Sequence, residues 1–200
     1  MPRVVSGSAK GLILQAPRGN KTRPTSDKAK EALFSILSGR IQGTRFLDIF
    51  AGTGQIGIEA LSRGADFAVF VDSGHESISC IKTNLQKSKM IPKAEVCGDD
   101  VFRFLKKYEA EKPFDIVYID PPYSEAAEIF RKISAALSAE NLISKDPVII
   151  LEHSSMTPPD DFVTNLKLKR CCKYGTVMLS FYERYDHGDE HCSAGGIDIK

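Results

Sequence analysis

Apolar and polar positions fall in blocks along this chain, and the blocks switch between strand-like and helical periods. Residues 46–50 form a short apolar run broken only by Asp48. Beyond Gly52 and Gly54, the apolar positions Ile56, Ile58, Ala60 and Leu61 take up helical spacing. The same switch recurs downstream. Strands are predicted over 66–71, 93–97, 114–119 and 147–151, the last an uninterrupted apolar run of the buried parallel kind. Helices are predicted over 55–63, 76–88, 102–108 and 124–137. Residues 166–170 and 176–182 flank Lys173-Tyr174-Gly175 as a closing antiparallel pair. Upstream, residues 3–7 and 11–14 read as a hairpin, and 15–24 as a loop rich in Pro, Gly and base. Thr25-Ser26-Asp27 then offers cap chemistry for a helix on Ala29, Ala32, Leu33, Ile36 and Leu37, ended by Ser38-Gly39. Such alternation predicts an α/β fold: a doubly wound sheet with an antiparallel C-terminal strand, and a small N-terminal hairpin and helix extension. The extension would span residues 1–44 and the main domain 45–184. Residues 185–200 are polar and aperiodic and are expected to be disordered. No internal repeat is visible.

Composition changes this picture in one respect. Two hundred residues with 42% hydrophobic content suffice for one α/β domain with a full core. The net charge of +1 conceals an asymmetry. Residues 1–45 carry nine Lys or Arg against two acids, a surplus of +7 that leaves the other 155 residues at −6. A basic arm on a mildly acidic body suits a polyanionic partner, although a solvated basic surface has the same composition. The five cysteines are irregularly spaced without a CxxC pair, so they read as small buried hydrophobes in a reducing compartment. His187, His191 and Cys192 resemble half a zinc site but lack a spaced cysteine pair, so no metal is expected. No apolar run approaches a membrane span, and no apolar stretch follows the basic start as in a signal peptide. A soluble cytoplasmic protein is expected.

The candidate chemistry begins where the first strand of the main domain meets its glycines. A strand, a glycine turn and a helix form a nucleotide- or nucleoside-binding corner, because a ligand can lie against backbone that carries no Cβ. Gly52-x-Gly54-x-x-Gly57, with Asp72 at about the ~20-residue spacing, fits a dinucleotide fingerprint. Asp48 argues otherwise. A carboxylate four residues before Gly52 would crowd a pyrophosphate, but it suits a ligand whose nearby charge is positive. S-adenosylmethionine, with a sulfonium and an ammonium and no phosphate, is such a ligand.

A second constellation, Asp120-Pro121-Pro122-Tyr123, directly follows the strand at 114–119. Ligands of open α/β sheets bind beyond the carboxyl ends of strands, so this tetrapeptide and the glycine corner are expected to face one crevice. An exocyclic amine on an aromatic ring is a poor nucleophile because its lone pair is delocalised. Hydrogen bonds from its two N–H groups to Asp120 and to the Pro121 carbonyl would draw the nitrogen toward tetrahedral geometry and aim its lone pair at an incoming methyl. Two prolines hold that carbonyl in place in advance. Tyr123 offers a ring for the target base to stack on. Asp120 can stabilise the cation formed at nitrogen and take its proton. A rigid turn after a strand is the non-functional alternative.

Together the two constellations resemble class I methyltransferases of the N/D-P-P-Y/F kind, and more specifically the bacterial RsmD family. Arg23-Pro24-Thr25 with Lys30-Glu31-Ala32-Leu33-Phe34-Ser35-Ile36-Leu37 is similar to that family's R-P-T…R-E-A-L-F-N-I-L. Leu47-Asp48-Ile49-Phe50-Ala51-Gly52-Thr53-Gly54 through Glu59-Ala60-Leu61-Ser62-Arg63-Gly64-Ala65 is similar to L-D-L-F-A-G-S-G…E-A-L-S-R-G-A, and Lys173-Tyr174-Gly175 resembles K-x-Y-G. The likeness reaches about Glu183. It implies a Rossmann-like domain that methylates the N2 of a guanine in 16S ribosomal RNA of the small subunit, using S-adenosylmethionine. Asp48 and the turn Gly52-Thr53-Gly54 would hold the methionyl part of the cofactor, and Phe50 would also contact the cofactor. Asp72 would take the ribose hydroxyls in place of the family's usual Glu, and Asp100 with Val101 the adenine. Asp99 beside Asp100 leaves that last assignment open by one residue, and either acid also suits a helix N-cap. Asp120, Pro121, Pro122 and Tyr123 would be catalytic. Arg3, Lys10, Arg18, Lys21, Arg23 and Lys28 would contact RNA phosphates, with Arg23 and Lys28 equally suited to pairing with acids of the main domain. A monomer acting on RNA within the small subunit or an assembly intermediate is expected. The competing readings are adenine-N6 methylation of DNA or RNA, a nicotinamide-dependent oxidoreductase, and an inactive RNA-binding scaffold. The oxidoreductase leaves the tetrapeptide unexplained, and the scaffold predicts damage at Asp48, Gly52, Gly54 or Asp120, all of which are intact.

Overall fold

The first strand of the main domain, β1 (Arg45–Ile49), is buried from Phe46 to its end, Asp48 included. Beside it runs β2 (Phe67–Val71), parallel and in register from Arg45 opposite Phe67 to Ile49 opposite Val71. The third strand, β3 (Ala94–Cys97), continues the parallel array against β2. Helix α2 (Gln55–Ser62) leaves the end of β1 and packs on β1 and β2; α3 (His75–Lys87) packs on β3. Helix α4 (Val101–Lys107) follows β3. Phe46, Leu47, Ile49, Val69, Phe70 and Val71 are wholly buried, at roughly 1.5–3 kcal/mol each. That sum holds the polar Asp48 among the apolar residues of the buried stretch 46–49, although a buried carboxylate costs several kcal/mol.

This is a computed structural model, and it describes residues 1–16, 27–160 and 162–185. They form two compact units, Met1–Tyr108 and a second beginning at Glu109. In the second unit β4 (Phe114–Ile119) runs parallel to β5 (Ile143–Ser154), with α5 (Ala126–Ala139) between them in sequence. Beyond β5 the order is β8 (Val177–Arg184), β7 (Leu166–Tyr174) and β6 (Phe162–Val163), all antiparallel. Parallel strands alternating with helices, followed by an antiparallel end, are the predicted plan.

Several predicted boundaries move, each for a physical reason. The N-terminal hairpin reduces to one antiparallel bridge, Arg3 opposite Ile13, flanked by hydrogen bonds from Val4 N to Leu12 O and from Leu14 N to Pro2 O. Those residues are tied instead to α2: Glu59, fully buried, accepts the Val5 and Ser6 amides at 2.7 and 2.9 Å. Predicted to end at Leu151, β5 continues through Glu152 and His153, because both polar side chains are buried with partners on the strands beside it, β4 and β8. The closing pair lengthens to Tyr174 and Arg184 around a turn at Gly175-Thr176. Helix α1 (Asp27–Ile36) lies where it was predicted. Its proposed caps Thr25 and Ser26, most of the 15–24 loop, and all but the first residue of the 185–200 tail lie outside the described residues.

Candidate active site

At the carboxyl end of β1 the chain turns sharply, and the turn is braced by carboxylates. Phe50 and Gly52 have positive φ (63° and 55°), as does Gly54. A Cβ built on Gly52 would meet nothing nearer than the Phe50 carbonyl oxygen at 3.9 Å, so the backbone there is open to a ligand on the side a side chain would occupy. Asp72, just after β2, ties the turn down. One of its oxygens accepts the Gly52 amide at 2.8 Å and the other the Gly74 amide at 2.7 Å. From within β1, Asp48 accepts the Gly57 amide at 2.9 Å. Burial, with the neighbouring charge of Asp72 adding to it, pushes the Asp48 carboxyl up to about 8 against the pull of that hydrogen bond. A buried acid reluctant to ionise alone is a group that a nearby cation would stabilise.

Two features of this corner were not anticipated. Asn84 of α3 is fully buried; its amide donates to the Thr53 carbonyl and to the Gln15 carbonyl, both at 2.9 Å, and its oxygen accepts the Gln15 amide. A polar residue at a buried helical position was the available signal. Gly57 is required for packing: a Cβ there would lie 2.3 Å from the Phe70 ring. The glycine that completed the dinucleotide fingerprint therefore seats α2 on β2.

Asp100 is the N-cap of α4, where it accepts the Phe102 and Arg103 amides at 3.0 and 3.2 Å. Asp99 accepts the Asp100 amide and pairs with Arg103 at 3.3 Å. Capping occupies one Asp100 oxygen, which leaves the carboxylate able to accept from a ligand as well. Val101 is buried beside it.

In the second unit, Asp120-Pro121-Pro122-Tyr123 leaves β4 as predicted and enters a 3₁₀ turn at Tyr123–Glu125. Asp120 is partly buried, Pro121 buried, and Tyr123 38% exposed, so part of its ring is open to solvent. The phenol of Tyr123 donates to Glu152 at 3.3 Å, and the other Glu152 oxygen accepts the Tyr118 phenol of β4. Glu152 is 3% exposed. Unlike Asp48, it follows its apolar run Ile149-Ile150-Leu151 instead of interrupting it, so the local pattern does not mark it as interior. Next to it, His153 meets Ser180 Oγ at 2.8 Å and the Ser154 carbonyl at 3.0 Å, and burial lowers its pKa.

Of the basic arm, Arg3 is exposed and donates to Asp27 at 2.8 Å, while Lys10 and Lys28 are exposed. Arg18, Lys21 and Arg23 lie outside the described residues, as do His187, His191 and Cys192. Lys30 is turned inward: it donates to the Arg3 carbonyl and lies near Asp27 and Glu59, and burial lowers its pKa against the pull of those acids.

Comparison with known proteins decides the family. Residues 2–183 match the family model described as conserved hypothetical protein 95. A Bacillus subtilis protein named "Putative rRNA methyltransferase YlbH" is 35% identical over 183 residues, covering 91% of this chain and 98% of its own. The chain belongs to the RsmD family of methyltransferases. Ribosomal RNA small subunit methyltransferase D of Buchnera aphidicola is 34% identical over 149 residues, covering 74% of this chain and 76% of its own. Among solved structures, the Escherichia coli protein titled "Putative methyltransferase yhhF" superposes with a TM-score of 0.78 at 27% identity, over 92% of this chain and 98% of that one. The architecture is thus the Rossmann-like methyltransferase fold with an antiparallel C-terminal strand.

Proposed function

We propose that this RsmD-family protein transfers a methyl group from S-adenosylmethionine to the exocyclic N2 of a guanine in 16S ribosomal RNA. The observation that carries the reading is the tetrapeptide at the end of β4, which combines an acceptor carboxylate, a proline-fixed carbonyl and a partly open aromatic ring. The names of the relatives support ribosomal RNA as the substrate class. The cofactor, when bound, supplies an electrophilic methyl on a positively charged sulfur.

The chain's own residues fit that cofactor. Asp48 is a buried acid made less costly by a cation beside it. Phe50 and Gly52-Thr53-Gly54 present backbone, and at Gly52 the side of a would-be Cβ is open. Asp72 is held by two amides with lone pairs to spare for ribose hydroxyls, and Asp100 with Val101 would meet the adenine. Asp120 and the Pro121 carbonyl would take the two N–H groups of the target amine, pull its lone pair out of conjugation, and stabilise the positive charge that grows on nitrogen. Asp120 would then accept the released proton. Tyr123 would carry the guanine on its ring, with the base flipped or in a loop. Arg3, Lys10 and Lys28, with Arg18, Lys21 and Arg23 of the same arm, would contact phosphates. The protein would act as a cytoplasmic monomer on RNA within the small subunit, where the particle supplies selectivity that so small an arm cannot.

The test uses methyl-labelled S-adenosylmethionine with small ribosomal subunits from cells lacking this protein, alongside naked ribosomal RNA and genomic DNA. Label recovered as N2-methylguanosine from subunit RNA, and absent with Asp120→Ala, is the expected result. Label recovered as N6-methyladenine would replace the guanine assignment. Cofactor binding without transfer to any substrate would favour a non-catalytic scaffold.

A further inference from the structure

We infer that Glu152 is a positioning residue for the target base, acting through the ring of Tyr123. The inference rests on the function proposed above. Its basis is the placement of a carboxylate in the core of the second unit, in β5, where an apolar side chain would satisfy packing alone. Glu152 is 3% exposed, and one oxygen accepts a phenol from β4, that of Tyr118, which is wholly buried. The other accepts the phenol of Tyr123, five residues further on and outside the strand. A rigid core tyrosine and a partly exposed tyrosine of the Asp-Pro-Pro-Tyr segment thus share one acid.

Burying a carboxylate is unfavourable unless donors compensate it, and two phenols are donors of the required kind. The Tyr118 contact fixes the carboxylate in the core. The Tyr123 contact, at 3.3 Å, is longer than a tight O–H···O bond. It sets the direction of the ring while leaving a few tenths of an ångström of adjustment as a base settles. A phenol that donates to a carboxylate also has a more electron-rich ring. Such a ring attracts a base whose amine becomes cationic during transfer. Both effects favour the transition state more than the bound substrate, so they belong to kcat rather than to KM.

A double-mutant cycle on Glu152 and Tyr123 tests this, with subunits lacking the modification as substrate. Glu152→Gln and Tyr123→Phe are each expected to lower kcat about tenfold, with KM for the cofactor unchanged. The double variant should be no slower than either single variant, because both changes break one tether. Losses that multiply in the double variant, or a fall in activity that follows thermal stability, would overturn the inference. A ¹⁹F resonance from 3-fluorotyrosine at position 123 gives a readout independent of turnover. It should shift when Glu152→Gln is introduced, and an unmoved resonance refutes the tether. If the wild-type protein methylates no RNA, the functional reading fails first, and the resonance then reports the tether alone. A shifted resonance without any methyl transfer leaves Glu152 a structural acid and overturns its positioning role.

Discussion

The glycine corner and the Asp-Pro-Pro-Tyr segment both rely on carboxylates, and they use them in opposite ways. At the corner, Asp48 and Asp72 hold backbone amides only nine, twenty and two positions away in sequence. In the second unit, Glu152 holds side-chain phenols 34 and 29 positions away. Acids that hold backbone fix the shape of a loop; an acid that holds aromatic tips fixes the direction of rings. The first suits a cofactor of constant shape, and the second suits a base that must be admitted, aligned and released. The difference predicts that damage at the corner appears in folding and cofactor affinity, whereas damage at the tetrapeptide appears in turnover.

The largest effect should follow Asp120→Ala. Loss of the acceptor that pyramidalises the amine and takes its proton is expected to slow methyl transfer by roughly 10²–10³-fold, the scale of removing one preorganised transition-state contact. Cofactor affinity, measured by titration calorimetry, should stay within about twofold, since uniform binding is not what this residue supplies. A comparable loss of cofactor affinity would erase the distinction between the two regions.

Next comes Gly57→Ala. Its methyl would lie 2.3 Å from one carbon of the Phe70 ring and 2.7 Å from another, in a core with no room to yield. Overpacking of this kind costs about 1–3 kcal/mol, which in thermal denaturation is a fall of roughly 3–10 °C. Phe70→Leu in the same chain should restore part of it. Turnover at saturating cofactor, below the melting range, should change little.

Asp48→Asn separates folding from binding at the corner. Burial raises the Asp48 carboxyl from an ordinary value of 3.8 to about 8. A raised folded value means that the native state holds its proton while the unfolded chain has lost it. The associated stability is complete below pH 3.8, declines as the unfolded chain ionises, and is gone once the pH passes about 8. The asparagine has no such decline. It should therefore be more stable than the wild type at pH 8 and above, by an amount on the order of a few kcal/mol, and equal to it near pH 4. Cofactor affinity should fall in the same variant. In the wild type, binding of a cationic cofactor at pH 7 should release a proton, detectable as a dependence of calorimetric heat on buffer ionisation. Stability curves for the two proteins that stay parallel from pH 4 to pH 9 would contradict the raised carboxyl.

The same contrast explains what was legible in the sequence. Strand, turn and helix at the corner were readable because periodicity, glycines and Asp48 lie within a dozen residues, and the tetrapeptide because it is contiguous. The end of β5 was not. Glu152 and His153 look like the polar residues that finish a strand, and only partners on β4 and β8, such as Tyr118 and Ser180, show that they are interior. The anchor of the N-terminal arm was hidden for a related reason. Its residues read as a hairpin, and the acid that holds them, Glu59, lies 54 positions on from Val5 in α2, fully buried. Polar groups satisfied at long range leave a local pattern that mimics the surface.

The smallest effect concerns the arm, and it isolates the tetrapeptide's share of catalysis. Lys10 and Lys28 are exposed. A phosphate contact by either would contribute long-range attraction but no alignment of the reacting amine. Lys10→Glu and Lys28→Glu should each weaken RNA binding by a few-fold and reduce the slope of log affinity against log salt by about one. Their effect belongs in KM for RNA. It should shrink as salt rises, because the wild type loses the same attraction to screening. Lys132→Glu is the control, since Lys132 is an exposed cation on α5 that pairs with Glu128 at 2.6 Å. Equal losses from all three would mean that only net charge matters. A fall in kcat from the arm variants at saturating RNA would mean that the arm, too, helps to orient the base, and turnover would then no longer belong to Asp120, Tyr123 and their supporting acid alone.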